Sequence, residues 1–342
     1  MPLYPDSQNR INTLYASVSG KLKAEIQAAR KSDETDDPID VLVYDPIAIH
    51  LTHFFIKIHC SANAVTLLSL LFGVGGSILL YPKDLLLNLA GIACEIFAAI
   101  LDCCDGQVAR LTHSESRFGR ILDGAVDMIN YLAIYIALGF RMMDEPVPFT
   151  SPGSVFWSWR IWIVIALAIF LHAGQARMAD YYRGLHLYFL KGRSEDYHSR
   201  AKDLKAAIAA LPAGTPFFHR ICLKAYLLYT LAQEKSTPHS QQLLTLAESG
   251  KAREGLAAAY LDHSRKIIQV TNVLSYNLRT YTLFLFLLFK REGYFFPFVF
   301  VILEGIKLLM TARYEAIAAR LCAEYAPASS SQTESKAERR DR

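Results

Sequence analysis

The sequence predicts an all-α integral membrane protein: six transmembrane helices, an N-terminal interfacial amphipathic helix and a helical cytoplasmic insertion. Three observations predict it. Six apolar runs are long enough, alone or with their flanks, to cross a bilayer core of ~30 Å. The breaks between them have turn chemistry, as in Tyr81-Pro82-Lys83-Asp84, Glu145-Pro146-Val147-Pro148 and Glu292-Gly293. The composition, 52% hydrophobic over 342 residues with mean hydropathy +0.20, is too apolar for a typical soluble domain. It is also too polar for a chain that lies in the membrane throughout.

Residues 1–44 are predicted to form a cytoplasmic N-terminal helical segment, in which Met1 to Asp40 is polar and lacks an apolar run followed by a small-residue cleavage site, so no signal peptide is expected. They read as a polar helix ending in the acidic run Asp33-Glu34-Thr35-Asp36-Asp37-Pro38. From Asp45 to Cys60, the residues Ile47, Leu51, Phe54, Phe55 and Ile58 recur on one side at helical spacing. That pattern predicts a helix lying in the interface. Four spans follow, at Ala64 to Tyr81, Leu85 to Leu101, Ile121 to Phe140 and Val155 to Leu171. The helical pattern of the second continues to about Leu111, so it crosses with tilt. Residues 45–183 thus hold the interfacial helix and four spans.

Residues 184–269 form a helical insertion, broken at Pro212-Ala213-Gly214-Thr215-Pro216 and at Ser236-Thr237-Pro238. Within it, Thr215 to Gln233 reads either as a membrane-surface helix or as one packed on its neighbours. Residues 270–315 carry the last two spans, Val270 to Phe289 and Tyr294 to Met310. Residues 316–342 are a tail, Ser- and charge-rich from Pro327 onward.

Basic residues set the expected orientation. The loops on one side hold Lys83, Arg141, Lys290 and Arg291, and most of the other Lys and Arg fall on the opposite side. By the positive-inside rule both termini and the insertion are cytoplasmic, in a bacterial inner membrane or its equivalent. The six cysteines show neither metal-paired spacing nor a compact disulfide framework, which suits a reducing face.

The chemistry concentrates in Asp102-Cys-Cys-Asp105-Gly106-Gln-Val-Ala109-Arg110 and in Gly119, Asp123 and Asp127 beyond it. Asp102 and Asp105 are three apart on one helical face, and Asp123 and Asp127 are four apart on the next helix. Two antiparallel neighbours aim all four carboxylates into one cleft, where they would repel one another unless cations intervene. Oxygen-only donors point to Mg²⁺ or Mn²⁺ rather than Zn²⁺. Such ions suit displacement at a diphosphate. Gly106 and Ala109 leave room for a ligand on that face, and Arg110 suits an aspartate or a phosphate.

The pattern D-x₂-D-G-x₂-A-R-x₈-G-x₃-D-x₃-D is complete, and it resembles the signature of the CDP-alcohol phosphotransferases, membrane enzymes of phospholipid head-group synthesis. The resemblance covers residues 45–183 and 270–315. It implies a six-helix fold, a homodimer, a cytoplasmic active site, a CDP-linked lipid or CDP-alcohol donor and an alcohol acceptor; no nucleic acid is expected. It implies that Asp102, Asp105, Asp123 and Asp127 bind metal and that Asp127 is also the base. Gly106 and Ala109 would sit against the cytidine nucleotide, with Asp102, Arg110 and Gly119 on the same nucleotide side. Ser61-Ala62-Asn63-Ala64-Val65-Thr66 resembles the family's Pro-Asn-x-x-Thr start of the first helix, with Ala62 in place of proline. Asn63 and Thr66 then face the nucleotide, or Asn63 caps the helix.

Among other polar residues at membrane depth, Glu95 lies two turns from Asp102 and either lines the cleft or makes a buried hydrogen bond. Glu304 and Lys307 are spaced to neutralise one another. His172, Gln175, Arg177 and Arg183 gather at the end of the fourth span. Arg177, Arg279 and Arg313 are candidate ligands for an anionic acceptor, or snorkel to lipid phosphates. They favour CDP-diacylglycerol as donor to a polar alcohol such as inositol phosphate. The reverse direction, CDP-choline or CDP-ethanolamine donating to diacylglycerol, is the alternative. An ion-coupled transporter is a remoter one, disfavoured because the acids cluster at one edge and paired broken helices are missing.

Overall fold

The computed structural model describes residues 25–27, 29, 30, 32, 34–150, 155–192, 200–212, 214–250, 252 and 254–326, without the side chains of Arg117 and Phe218. The polar helix expected before residue 25 and the tail beyond residue 326 lie outside the described residues. Those that are described are helical, with an isolated bridge between Pro146 and Phe156 as their one strand-like pairing.

A π-helical turn, Asp40–Tyr44, leads into α1 (Asp45–Lys57). Helices α2 (Ala62–Leu80), α3 (Leu85–Leu111), α4 (Arg117–Met142) and α5 (Ile161–Lys191) follow. Side-chain caps set three of their starts: Ser61 accepts from the Ala64 N–H, Asp84 from Leu87 and Ser116 from Gly119. The insertion comprises α6 (Ala201–Ala209), α7 (Phe217–Ser236), α8 (Pro238–Glu248) and α9 (Leu256–Ser264). A single turn, Val270–Val273, precedes α10 (Tyr276–Leu288), and α11 (Glu304–Tyr325) continues a 3₁₀ and π-helical lead-in that begins at Glu292.

Among the described residues, five helices are long and apolar enough to cross a membrane: Ala62–Leu80, Leu85–Leu111, Phe118–Met142, Ser158–Lys191 and Glu292–Tyr325. The expected run from Val270 to Phe289 folds differently. Ser275 takes up extended backbone and splits it, leaving α10 with 13 residues, ~20 Å at 1.5 Å per residue. Polar side chains explain the break: Thr271, Asn272 and Asn277 are buried and bonded at this point, and Ser275 is bonded beside them. Helix α5 runs 20 residues past Leu171, and its end carries the insertion.

Helix α3 packs between α1 and α2, and α2 also packs on α4. Glycines allow that closeness. A Cβ on Gly76 would stand 2.9 Å from the Gly91 carbonyl, and one on Gly91 the same distance from the Gly76 carbonyl. A Cβ on Gly73 would overlap the Asn130 side chain of α4. The helices that bear the aspartates are thereby held on a common neighbour. A second core, rich in aromatic residues, joins α4, α5, α10 and α11.

The end of the bundle away from the aspartates is tied by Arg141. Its guanidinium donates to Glu292 at 2.6 Å, to Asn88 at 2.9 Å and to the carbonyls of Leu80 and Pro82. Both Arg141 and Glu292 are buried. The aspartate end is bound by residues 34–45. Glu34 accepts from both Nε and Nη2 of Arg265 and from His186, Ser275 donates to Asp37, Asn277 to Asp40 and Gln107 to Asp45. This segment straps the end of α3 to the region between α9 and α10.

Candidate active site

The last three turns of α3 and the first three of α4 face each other across the turn at 112–116, where His113 has φ 53°. On this pair Asp102, Asp123 and Asp127 each place a carboxylate oxygen within 4.8 Å of the others. Asp102 and Asp123 are half-buried and Asp127 is exposed, so the cluster opens on the Asp127 side. The Oδ1 of Asp102 is buried without a hydrogen-bond partner. A buried, unpartnered carboxylate oxygen facing two other carboxylates is unfavourable without a cation, so the donor set fits a divalent ion.

Asp105 is buried beside this group but held differently. Its Oδ2 accepts a 2.6 Å hydrogen bond from Thr66 on α2. Thr66 therefore orients an acidic side chain, a role its motif position did not reveal. The cap of α2 is Ser61, not Asn63, which leaves the Asn63 side chain beside Gly119, 3.4 Å from where a Cβ would stand there. A Cβ on Gly106 would meet the Arg110 guanidinium at 3.0 Å, and Arg110 donates to the Ala29 carbonyl. Ala109 lies on the same stretch, and its carbonyl accepts from Ser114 at 2.9 Å in the turn. Gln107, which the sequence pattern passes over, is fully buried; it accepts from Thr52 and donates to Asp45, fixing α1 to the aspartate helix.

Beyond the cluster, Tyr131 lies one turn past Asp127 and packs on His172 at 3.9 Å and on Tyr276. Arg279 sits 5.9 Å from the Tyr131 ring centroid. It is fully buried, donates through Nη2 to Gln175 at 2.7 Å, and has no partner for Nε or Nη1. Gln175 in turn donates to Glu304 and to the Val299 carbonyl, both at 3.1 Å, and Glu304 pairs with Lys307 as its spacing suggests. Arg177 has a buried Nε without a partner, but it stands two residues from Gln175 on α5 and so faces another way. Arg313 is exposed farther along α11. Arg183 donates to Thr271 and Asn272. Glu95 accepts from Ser77 at 2.9 Å and from Tyr276, so it holds α2, α3 and α10 together.

The model of one family, CDP-alcohol phosphatidyltransferase, matches residues 59–228, a stretch that contains α2, α3 and α4 with all four aspartates. The chain belongs to the CDP-alcohol phosphatidyltransferase family. Like other members it is thus a membrane protein, and the matched stretch runs on into α7 of the insertion.

Three relatives give the match finer detail. An uncharacterized protein of Aquifex aeolicus is 32% identical over 96 residues, 28% of this chain and 47% of that protein. Phosphatidylinositol phosphate synthases of Mycobacterium bovis and Mycobacterium tuberculosis are each 30% identical over 96 residues, 27% of this chain and 43% of theirs. The chain spans less than half the length of each of these relatives.

Proposed function

We propose that this protein transfers a phosphatidyl group from CDP-diacylglycerol to a polar alcohol in phospholipid synthesis, releasing CMP. The meeting of Asp102, Asp123 and Asp127 within 4.8 Å, on the helices that carry the family pattern, is the observation on which the reading rests. These three, with Asp105 beside them, would hold Mg²⁺ or Mn²⁺. When bound, the metal would supply charge neutralisation for the diphosphate and for departing CMP.

The chain's own residues divide the remaining work. Asp127, the most exposed of the cluster, takes the proton of the attacking hydroxyl. The hydroxyl oxygen then bonds to the donor's β-phosphorus as the bond from that phosphorus to the CMP oxygen breaks. Thr66 keeps Asp105 fixed while this happens. Asn63, Gly119, Gly106, Ala109 and Arg110 form the nucleotide side with Asp102, small residues giving the ring access and Arg110 giving positive charge.

The two unpartnered N–H groups of buried Arg279 favour an anionic acceptor, because leaving them unmet is costly. The names of the mycobacterial relatives favour inositol phosphate in particular. Arg279 with Gln175 carries the acceptor side in this reading; Arg177 faces another way on α5 and Arg313 lies exposed farther along α11. The short helix α10 with its preceding turn serves as a sixth crossing, and α1 lies in the interface with Ile47, Phe54 and Ile58 exposed. Both termini, the insertion (184–269) and the aspartates face the cytoplasm, as the basic asymmetry supports. Two copies form a homodimer.

The test is a screen of purified protein with Mg²⁺ or Mn²⁺, pairing each CDP donor with each alcohol and measuring CMP. CMP from CDP-diacylglycerol with inositol phosphate is expected. CMP arising only from CDP-choline with diacylglycerol would reverse the direction, and none from any pair would remove the transferase reading.

A further inference from the structure

Helix α7 of the insertion has two unlike faces. Cys222, Leu223 and Gln233 turn inward. Cys222 and Leu223 pack on Ile121 of α4, and Gln233 donates to the Arg177 carbonyl and to Asp180 of α5. Phe217, Ile221 and Leu228 turn outward, 79%, 46% and 68% exposed. At ~100° per residue the outward three fall within about 40° of one another, opposite the inward set. Side chains of comparable openness, Leu86, Phe170 and Leu309, lie on the candidate spans, where lipid covers them.

Depth gives the occupant. Helices α4 and α5 share a level at their far ends, where the Ser158 N–H donates to the Met143 carbonyl. Ile121 and Asp180 each lie roughly 30 Å from that level at 1.5 Å per residue, one hydrocarbon thickness. Helix α7 touches α4 near Ile121 and α5 near Asp180, so it runs across both at the membrane boundary. Its charges suit that place: His219, Arg220, Lys224 and Lys235 stand against Glu234, and Lys224 and Lys235 share the outward, apolar face. Lysines flanking an apolar stripe reach lipid phosphates while their stems lie on the chains.

We propose that α7 is an in-plane helix docked on anionic lipid of the inner leaflet through Phe217, Ile221 and Leu228. It bears on the leaflet beside the opening of the aspartate cluster, where a lipid-linked donor would arrive. The inference rests on the membrane reading above and not on the transfer chemistry.

Photocrosslinking tests it with the intact protein in vesicles of phosphatidylcholine and phosphatidylglycerol. Benzoylphenylalanine replaces Phe217 or Leu228, with Phe170 on α5 as a lipid-facing control and Lys202, 62% exposed on α6, as a water-facing one. Lipid adducts at 217 and 228 are expected at a yield near that at 170 and at least severalfold above that at 202. Yields at the level of 202, or adducts with a second copy of the chain in place of lipid, overturn the proposal. Should one variant fail to insert, Ile221 takes its place. A protein that gives the lipid adduct but no CMP loses only the transferase reading.

Discussion

Each acidic residue at the site is distinguished by what holds it. Asp127 is open to the cleft, so Asp127→Asn is expected to lower CMP release by at least a thousandfold while metal still binds. Thr66 acts through Asp105; Thr66→Val removes a hydrogen bond to a buried carboxylate, about 1.5–3 kcal/mol. CMP release should then fall by roughly ten- to a hundredfold, and Thr66→Ser should restore most of it, as steady-state assays would report. Gln175→Leu frees the Arg279 guanidinium, and the expected result is a higher KM for the acceptor with little change in that for the donor. Spacing alone brought out the four aspartates, because i, i+3 and i, i+4 positions share a helical face whatever the tertiary fold. It did not pair Thr66 with Asp105 or Gln175 with Arg279, since those bonds cross between helices whose rotation the pattern leaves open.

Among the elements, the strap of residues 34–45 has a pH signature. Burial pushes Asp40 up to about 7 and Asp45 up to about 6. In the unfolded chain both ionise near pH 4. The folded form therefore keeps protons that the unfolded form releases, and stability is full below about pH 4 and lost as pH rises toward 7. Thermal melts of purified protein should show Tm falling between about pH 4 and pH 7, and Asp40→Asn should flatten that slope. Glu34 works oppositely: burial would raise it, but hydrogen bonds from Arg265 and His186 hold it below the ordinary carboxylate range. The acidic run was visible in the sequence, yet its partners, Arg265, Ser275 and Asn277, are more than 200 residues away. The break at Ser275 was missed for a related reason. An apolar average over 270–289 conceals a polar cluster whose buried bonds override the helix.

Taken whole, the molecule is a bundle tied at both ends, by the strap at one and by Arg141 at the other. Arg141→Ala would leave Glu292 buried and uncompensated, at a cost of about 3–5 kcal/mol. Replacing both, as Arg141→Met with Glu292→Leu, should cost less than either change alone, and melting temperatures of the three variants would decide it. The sequence revealed the class of the fold and most helices, because apolar length and turn chemistry are local. It did not reveal that α7 and α8 dock on α5 and α11, because those contacts depend on how far α5 projects past its apolar run. The central claim is that the carboxylates of Asp102, Asp123 and Asp127 share a divalent cation, and anomalous scattering from crystals grown with Mn²⁺ tests it most directly. A peak bounded by those three side chains, absent in Asp123→Asn, is the expected result; density only elsewhere, or none at millimolar Mn²⁺, would contradict it.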